Sequence, residues 1–186
     1  MKRYTFYVFV FVLSTGLLLL QSCGNGNEKK DDANTKNNAK ENKKQNDLAA
    51  KYLEVQLKGF KKEGENKWIP TDGANSKIGF VVINTQRCEN CQRLQSLQGF
   101  KDEVTLAPEY KNAYGKTFNN KMVFFAEMHA KDNVETEEEL GPVLIAEFMA
   151  AKDMMVSVSI FPKEEAIESD KFAKDMDTIM QVLTQF

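Results

Sequence analysis

The chain has 186 residues, 42% of them hydrophobic and 28% charged, and carries a formal net charge of −2. That size and balance are those of one globular domain, with little room for a second. The absence of a basic excess argues against nucleic acid as a partner, and a single histidine, His129, excludes a His-rich metal site within one chain.

The N-terminus reads as an address. Met1-Lys2-Arg3 is a short positive region, and Phe6 to Leu20 is an apolar run too short for a spanning helix, which needs about 20 residues. Leu20-Gln21-Ser22-Cys23 follows and resembles the lipobox of bacterial lipoproteins. The resemblance implies that residues 1–22 are a lipoprotein signal peptide and that Cys23 is acylated. It also implies anchorage in a lipid bilayer, with the protein in the cell envelope facing the periplasm or the cell exterior. Removing residues 1–22 takes away Lys2 and Arg3 and leaves 23 basic against 27 acidic residues, a net −4. Residues 23–46 hold no apolar side chain larger than alanine after Cys23 and mix Asn, Lys, Asp and Glu, so they are expected to be a disordered tether. Its reach is roughly 25 Å.

Residues 47–186 are expected to form the folded domain. Leu48, Tyr52 and Val55 have helical spacing, while Val55, Leu57 and Gly59 alternate as in a strand, so both readings stand there. Trp68-Ile69-Pro70 reads as a short strand and Thr71-Asp72-Gly73 as a turn. Ile78 to Asn84 is an apolar, β-branched run suited to a strand buried on both faces. Leu94, Leu97, Phe100 and Val104 form a stripe on an amphipathic helix over 89–104 that starts at the cysteines. Residues 105–120 read as a long polar and aromatic loop or short helix. Met122 to Ala126 is a second buried strand.

Thr136 and Glu139 have capping-box spacing, and Leu140, Val143, Leu144 and Phe148 then make a helical face, with Pro142 in its first turn. Glu137 to Glu139 suit a helix N-terminus. Val156, Val158 and Ile160 alternate with Ser157 and Ser159 as a half-buried strand near a sheet edge. Pro162 to Glu165 is a turn, and Ala166-Ile167 a short last strand. Ser169 caps a final helix whose buried face is Phe172, Met176, Ile179, Met180 and Leu183. The order predicts an α/β sheet with helices on both faces.

Phe80 to Asn84, followed by Cys88 and Cys91 and a helical segment, resembles the central unit of the thioredoxin-like fold family. A C-x-x-C pair beside a βαβ pattern is a redox signal. The resemblance implies a membrane-tethered thiol–disulfide oxidoreductase acting on protein thiols or disulfides, with Cys88 attacking and Cys91 resolving. It requires no cofactor and no resident metal. Arg87 stands where the family usually has an aromatic residue, and Val82 where thioredoxin has a buried carboxylate. Met155 and Val156 stand where the family's cis-proline lines the substrate groove, so Arg87, Met155 and Val156 are the expected groove residues. Two other functions fit the same residues. One is a non-enzymatic lipoprotein binding module with a structural or vestigial cysteine pair; the other is a copper(I) carrier using the two thiols. His129, after a strand, is expected to be an exposed loop residue.

Overall fold

The computed structural model describes residues 32–88, 91–107, 109–129, 142–163 and 166–186, with side chains from residue 42 onward. The chain divides into units of residues 1–36 and 37–186, and the fold described here is that of the second. The signal segment, Cys23 and the Thr136–Glu139 pair lie outside the described residues.

A first helix, α1 (Asp32–Leu53), begins inside the segment whose composition suggested a flexible tether. Its C-terminal turns carry Leu48 and Tyr52 into the core, which gives them a tertiary partner that composition does not reveal. Three short or central strands follow: β1 (Phe60–Lys62), β2 (Lys67–Pro70) and β3 (Ile78–Arg87). A 3₁₀ turn (Gln92–Gln95) and the two-turn helix α2 (Leu97–Val104) lie between β3 and β4 (Tyr110–Phe118). Strands β5 (Lys121–Met128), β6 (Val143–Ala151) and β7 (Met154–Pro162) complete the sheet. A short 3₁₀ turn (Ala166–Glu168) then leads into α3 (Asp170–Leu183), capped by the Ser169 hydroxyl, which accepts from the Phe172 N–H at 3.2 Å.

Among the described residues the sheet has seven strands in the order β1-β2-β3-β7-β6-β5-β4, and every pairing is antiparallel. Two hairpins explain much of that order. Phe118 pairs with Lys121, so β4 and β5 are joined by Asn119-Asn120 alone, at φ +46° and +64°. Positive φ at both central residues is the backbone of a type I′ turn, which asparagine tolerates. Ala151 pairs with Met154, so two residues, Lys152-Asp153, also close β6 onto β7, without the positive φ of the first turn.

Alternation sorts the two faces. Ile83, Val158, Ala146 and Phe125 stand in register across β3, β7, β6 and β5, and all are buried. They form the main core with Tyr52 of α1 and Phe172, Met176, Ile179, Met180 and Leu183 of α3. The opposite face carries a smaller cluster of Cys91, Leu94, Phe100, Phe124, Ala126 and Met155, formed where α2 and the 3₁₀ turn lie against the sheet.

The thioredoxin-like architecture is thereby overturned. The strand after the cysteines is not a parallel partner of β3 reached by a crossover helix. β3 pairs antiparallel with β7, the last of the described strands. Residues 143–151, expected as a helix, are β6, whose apolar residues, broken only by Glu147, are buried on both faces of the sheet. Residues 110–118, expected as part of a loop or short helix, are β4. The strand placed near an edge, β7, is the central one. Ala166-Ile167 belong to a 3₁₀ turn, not a strand. The helix expected over 89–104 is two elements, and Ser96 caps the second by accepting from the Gly99 N–H at 3.0 Å.

Phe148 is fully buried in the main core, whereas Met122 on the neighbouring strand is 48% exposed. Phe148→Ala is expected to cost about 3–5 kcal/mol of unfolding free energy, and Met122→Ala no more than about 0.5 kcal/mol. Urea unfolding of the two variants checks this; similar losses in both would contradict the register of β6.

Candidate functional site

Cys88 follows the last residue of β3, and its backbone N–H donates to the Asp153 carbonyl at 2.8 Å, prolonging the β3–β7 ladder by one residue. Cys91 stands at the N-cap of the 3₁₀ turn and is 7% exposed. The two are joined as a disulfide with Cα atoms 5.5 Å apart, a span ordinary for such a bridge. Cys91 packs with Leu94, Phe100 and Met155, and Cys88 borders the same cluster.

The expected groove residues are not drawn to one place. Met155 is buried in the cluster beside Cys91, while Val156, its neighbour on β7, turns to the main core on the opposite face. Arg87 is exposed at the end of β3, paired through its backbone with Met154. The peptide bonds contain no cis link among the described residues. His129 is half-buried, not exposed; its Nε2 lies 3.6 Å from Glu127 Oε2.

A charged site that sequence reading missed lies beside the disulfide. Arg93 sits in the middle of the 3₁₀ turn, two residues after Cys91, and reaches three elements. Its Nη1 donates to Glu103 Oε1 of α2 at 2.8 Å. Its Nη2 is 3.3 Å from Glu147 Oε1 and 3.1 Å from Oε2 on β6, and 3.2 Å from Met155 Sδ on β7. Glu147 is 9% exposed, and its Oε2, in ion-pair contact with Arg93 but off hydrogen-bond alignment, accepts no hydrogen bond from the described residues. Burial pushes the Glu147 carboxyl above its ordinary range. Arg93 opposes that shift, Glu103 adds to it, and a Ser157 hydrogen bond opposes it. Tyr110 is raised too, by burial first and then by Glu147 and Glu109, with Arg93 opposing.

These groups line a pocket of about 180 Å³ between α2 and the sheet, walled by Phe100, Val104, Ala107, Tyr110 and Ile145, with Arg93, Glu103 and Glu147 as its polar groups. An apolar cavity of roughly 150 Å³ admits a benzene-sized guest, so the space suits the end of one side chain. Leu106, next to the lining residue Ala107, is 84% exposed. The sequence signal for this site was a lone Glu147 inside the apolar run Val143 to Met149, since a charge at a core position is retained only with a partner.

No protein-family model matches the chain, and no curated protein does. Among solved structures the chain is similar to the solution structure of cyanobacterial PsbP (CyanoP) from Synechocystis sp. PCC 6803. That similarity has 10% identity and a TM-score of 0.39, over 69% of this chain and 94% of that one. Nothing about function follows from a likeness of that size. The thioredoxin resemblance finds no support in family models or curated proteins, and the antiparallel sheet contradicts it.

The thiol–disulfide oxidoreductase reading falls with that fold. Cys88 does not open an α-helix, and the residues expected beside it as a groove are split between two faces of the sheet. The two other functions that fit the same residues, a non-enzymatic lipoprotein binding module with a structural or vestigial cysteine pair and a copper(I) carrier, are no better supported. Among the described residues no three His, Cys, Asp or Glu side chains are arranged to hold a metal, and no helix is long and apolar enough to cross a membrane.

Glu147 links stability to pH. A carboxyl whose folded-state value is raised binds its proton more tightly folded than unfolded. Its contribution is therefore full below the ordinary value of 4.5 and is lost as pH rises through the raised value. Glu147→Gln removes that titration. Relative to the variant, the native protein is expected to lose stability as pH climbs above 4.5. Urea unfolding of both at steps from about pH 4 to about pH 7 reads the native-minus-variant difference in stability; a difference that stays constant or rises with pH refutes the assignment.

Proposed function

We propose that this chain is an extracytoplasmic recognition domain that receives a lysine side chain of a partner protein in the pocket beneath α2. The observation that carries this reading is the surplus of carboxylate there. One guanidinium, Arg93, is shared between the two carboxylates Glu103 and Glu147, and Glu109 is near enough to act on Tyr110. An ammonium group supplies both a charge and N–H donors, and its alkyl stem suits Phe100, Val104 and Ile145. The Tyr110 and Phe100 rings add faces that attract cations. Leu106 offers an apolar contact to the surface that presents the lysine.

The probe is N-acetyl-lysine methylamide, with the uncharged norleucine analogue as control, titrated against the full chain while amide and Tyr110 NMR signals are followed. The lysine derivative is expected to bind in the roughly millimolar range and to shift residues 93, 103, 110 and 147. Glu103→Gln with Glu147→Gln is expected to weaken it about tenfold or more, a loss suited to removing charge-assisted contacts. Equal binding of the norleucine analogue, or no response in the α2 pocket, would sink the reading.

The envelope location is part of the same proposal. It rests on the positive region, the apolar run and the lipobox-like Leu20 to Cys23, and on a disulfide that suits an oxidising compartment. The bilayer is then a second partner, held through acylated Cys23. Detergent phase partition of the native protein and a Cys23→Ala variant tests it. The native chain should enter the detergent phase with acyl mass on Cys23, and an unmodified Cys23 in the mature protein would refute anchorage.

A further inference from the structure

We propose that the Cys88–Cys91 disulfide is a redox latch that keeps Arg93 in the pocket as a built-in cation, and that its reduction opens the pocket to the external one. The inference rests on the lysine-pocket reading and adds its regulation. The geometry is short and direct. Cys88 is tied to the sheet through its N–H bond to Asp153, and the disulfide ties Cys91 to Cys88. Cys91 in turn starts the 3₁₀ turn, its carbonyl accepting from the Leu94 N–H at 3.1 Å. Arg93 lies between those two residues. Its guanidinium occupies the same carboxylates, Glu103 and Glu147, that an incoming ammonium would use.

A turn of four residues has little stability of its own, so its hold on Arg93 depends on its ends. The C-terminal end is held by buried Leu94 and by the Ser96 cap of α2. The N-terminal end is held by the disulfide and by the buried Cys91 side chain in the cluster with Phe100 and Met155. The step is a two-electron exchange with a dithiol. One dithiol sulfur bonds to a latch sulfur as the Cys88–Cys91 bond breaks, and the second dithiol sulfur then displaces it. The latch is left as two thiols, having gained the two dithiol protons, and the reductant leaves as a disulfide. Once the bridge is open, the first half of the turn loses that cross-link to the end of β3, and the long arginine side chain gains freedom that its fixed position had denied it. The carboxylates it leaves are the ones an external ammonium then occupies.

The test uses the full chain in detergent, carrying Cys23→Ser so that the latch holds its only cysteines. Two measurements are made with the latch oxidised and after dithiothreitol. The first follows the Arg93 Nη–H NMR signals, the donors that meet Glu103 and Glu147, and needs no ligand. They should be sharp and protected in the oxidised protein, and broadened or in fast exchange with water in the reduced one. The second is the affinity for N-acetyl-lysine methylamide, expected to tighten about tenfold on reduction, the gain of removing one competing charge contact. Arg93→Ala should bind as tightly as the reduced protein and lose its response to dithiothreitol. Cys88→Ser with Cys91→Ser should match the reduced state without reductant.

An unchanged Arg93 signal together with equal affinities in the two states would overturn the latch while leaving the lysine pocket standing. Absence of lysine binding in both states and in Arg93→Ala would overturn the pocket itself, and the latch with it.

Discussion

Register between β6 and β7 ties the core of this protein to its site. Strand side chains alternate, so Phe148 and Val156 face the main core while Glu147 and Ser157 face α2. A one-residue slip would put Glu147 among Phe125, Val158 and Met180 and turn Phe148 toward α2. The cost of a carboxylate in that core, with no cation near, makes the register unambiguous. The main core and the charged pocket are therefore two consequences of one pairing. Arg93 can then be read as the solution to a problem that the register creates: a charge on the thinner, less covered face of the sheet.

The parts of the fold legible in the sequence are those where one face alone is buried. The α3 stripe of Phe172, Met176, Ile179, Met180 and Leu183 was readable because the opposite positions are charged, and Ser169 announced its start. The strands β3, β5 and β7 were readable from β-branched and aromatic runs. Strand β6 was not. Val143 to Met149 is apolar throughout except at Glu147, so it satisfies helical and extended spacing equally. The pair Asn119-Asn120 was the stronger local clue, since two asparagines between runs suit a tight hairpin. Taken that way, Tyr110 to Phe118 becomes a strand, and an antiparallel sheet follows from local chemistry.

The candidate site was half legible. The cysteines stood out by type and spacing, but the residues that give them meaning did not. Met155 could be placed near them only through a pattern borrowed from another fold; in this one it arrives by the β3–β7 pairing of Gln86 with Met155. Arg93 and Glu147 are 54 residues apart, and nothing in either segment names the other. A lone acid in an apolar run asks for a buried base, yet the 25 basic residues of the chain give no means of choosing one.

The resemblance that failed did so for a physical reason. Two cysteines with two residues between them can close a bridge on many kinds of turn, because a Cα separation of 5.5 Å is what a tight turn provides. What makes such a pair an exchange catalyst lies outside the pair: an α-helix N-terminus aimed at one sulfur, and a groove that presents a partner's sulfur to it. Here the residue after the second cysteine begins a 3₁₀ turn too short to carry a large dipole, and α2 starts only at Leu97. The surrounding contacts instead run from Cys91 through Leu94, Phe100 and Met155 to the sheet. The bridge in this protein ties the start of the turn that carries Arg93 to the end of β3, on the face of the sheet where Arg93 meets Glu147.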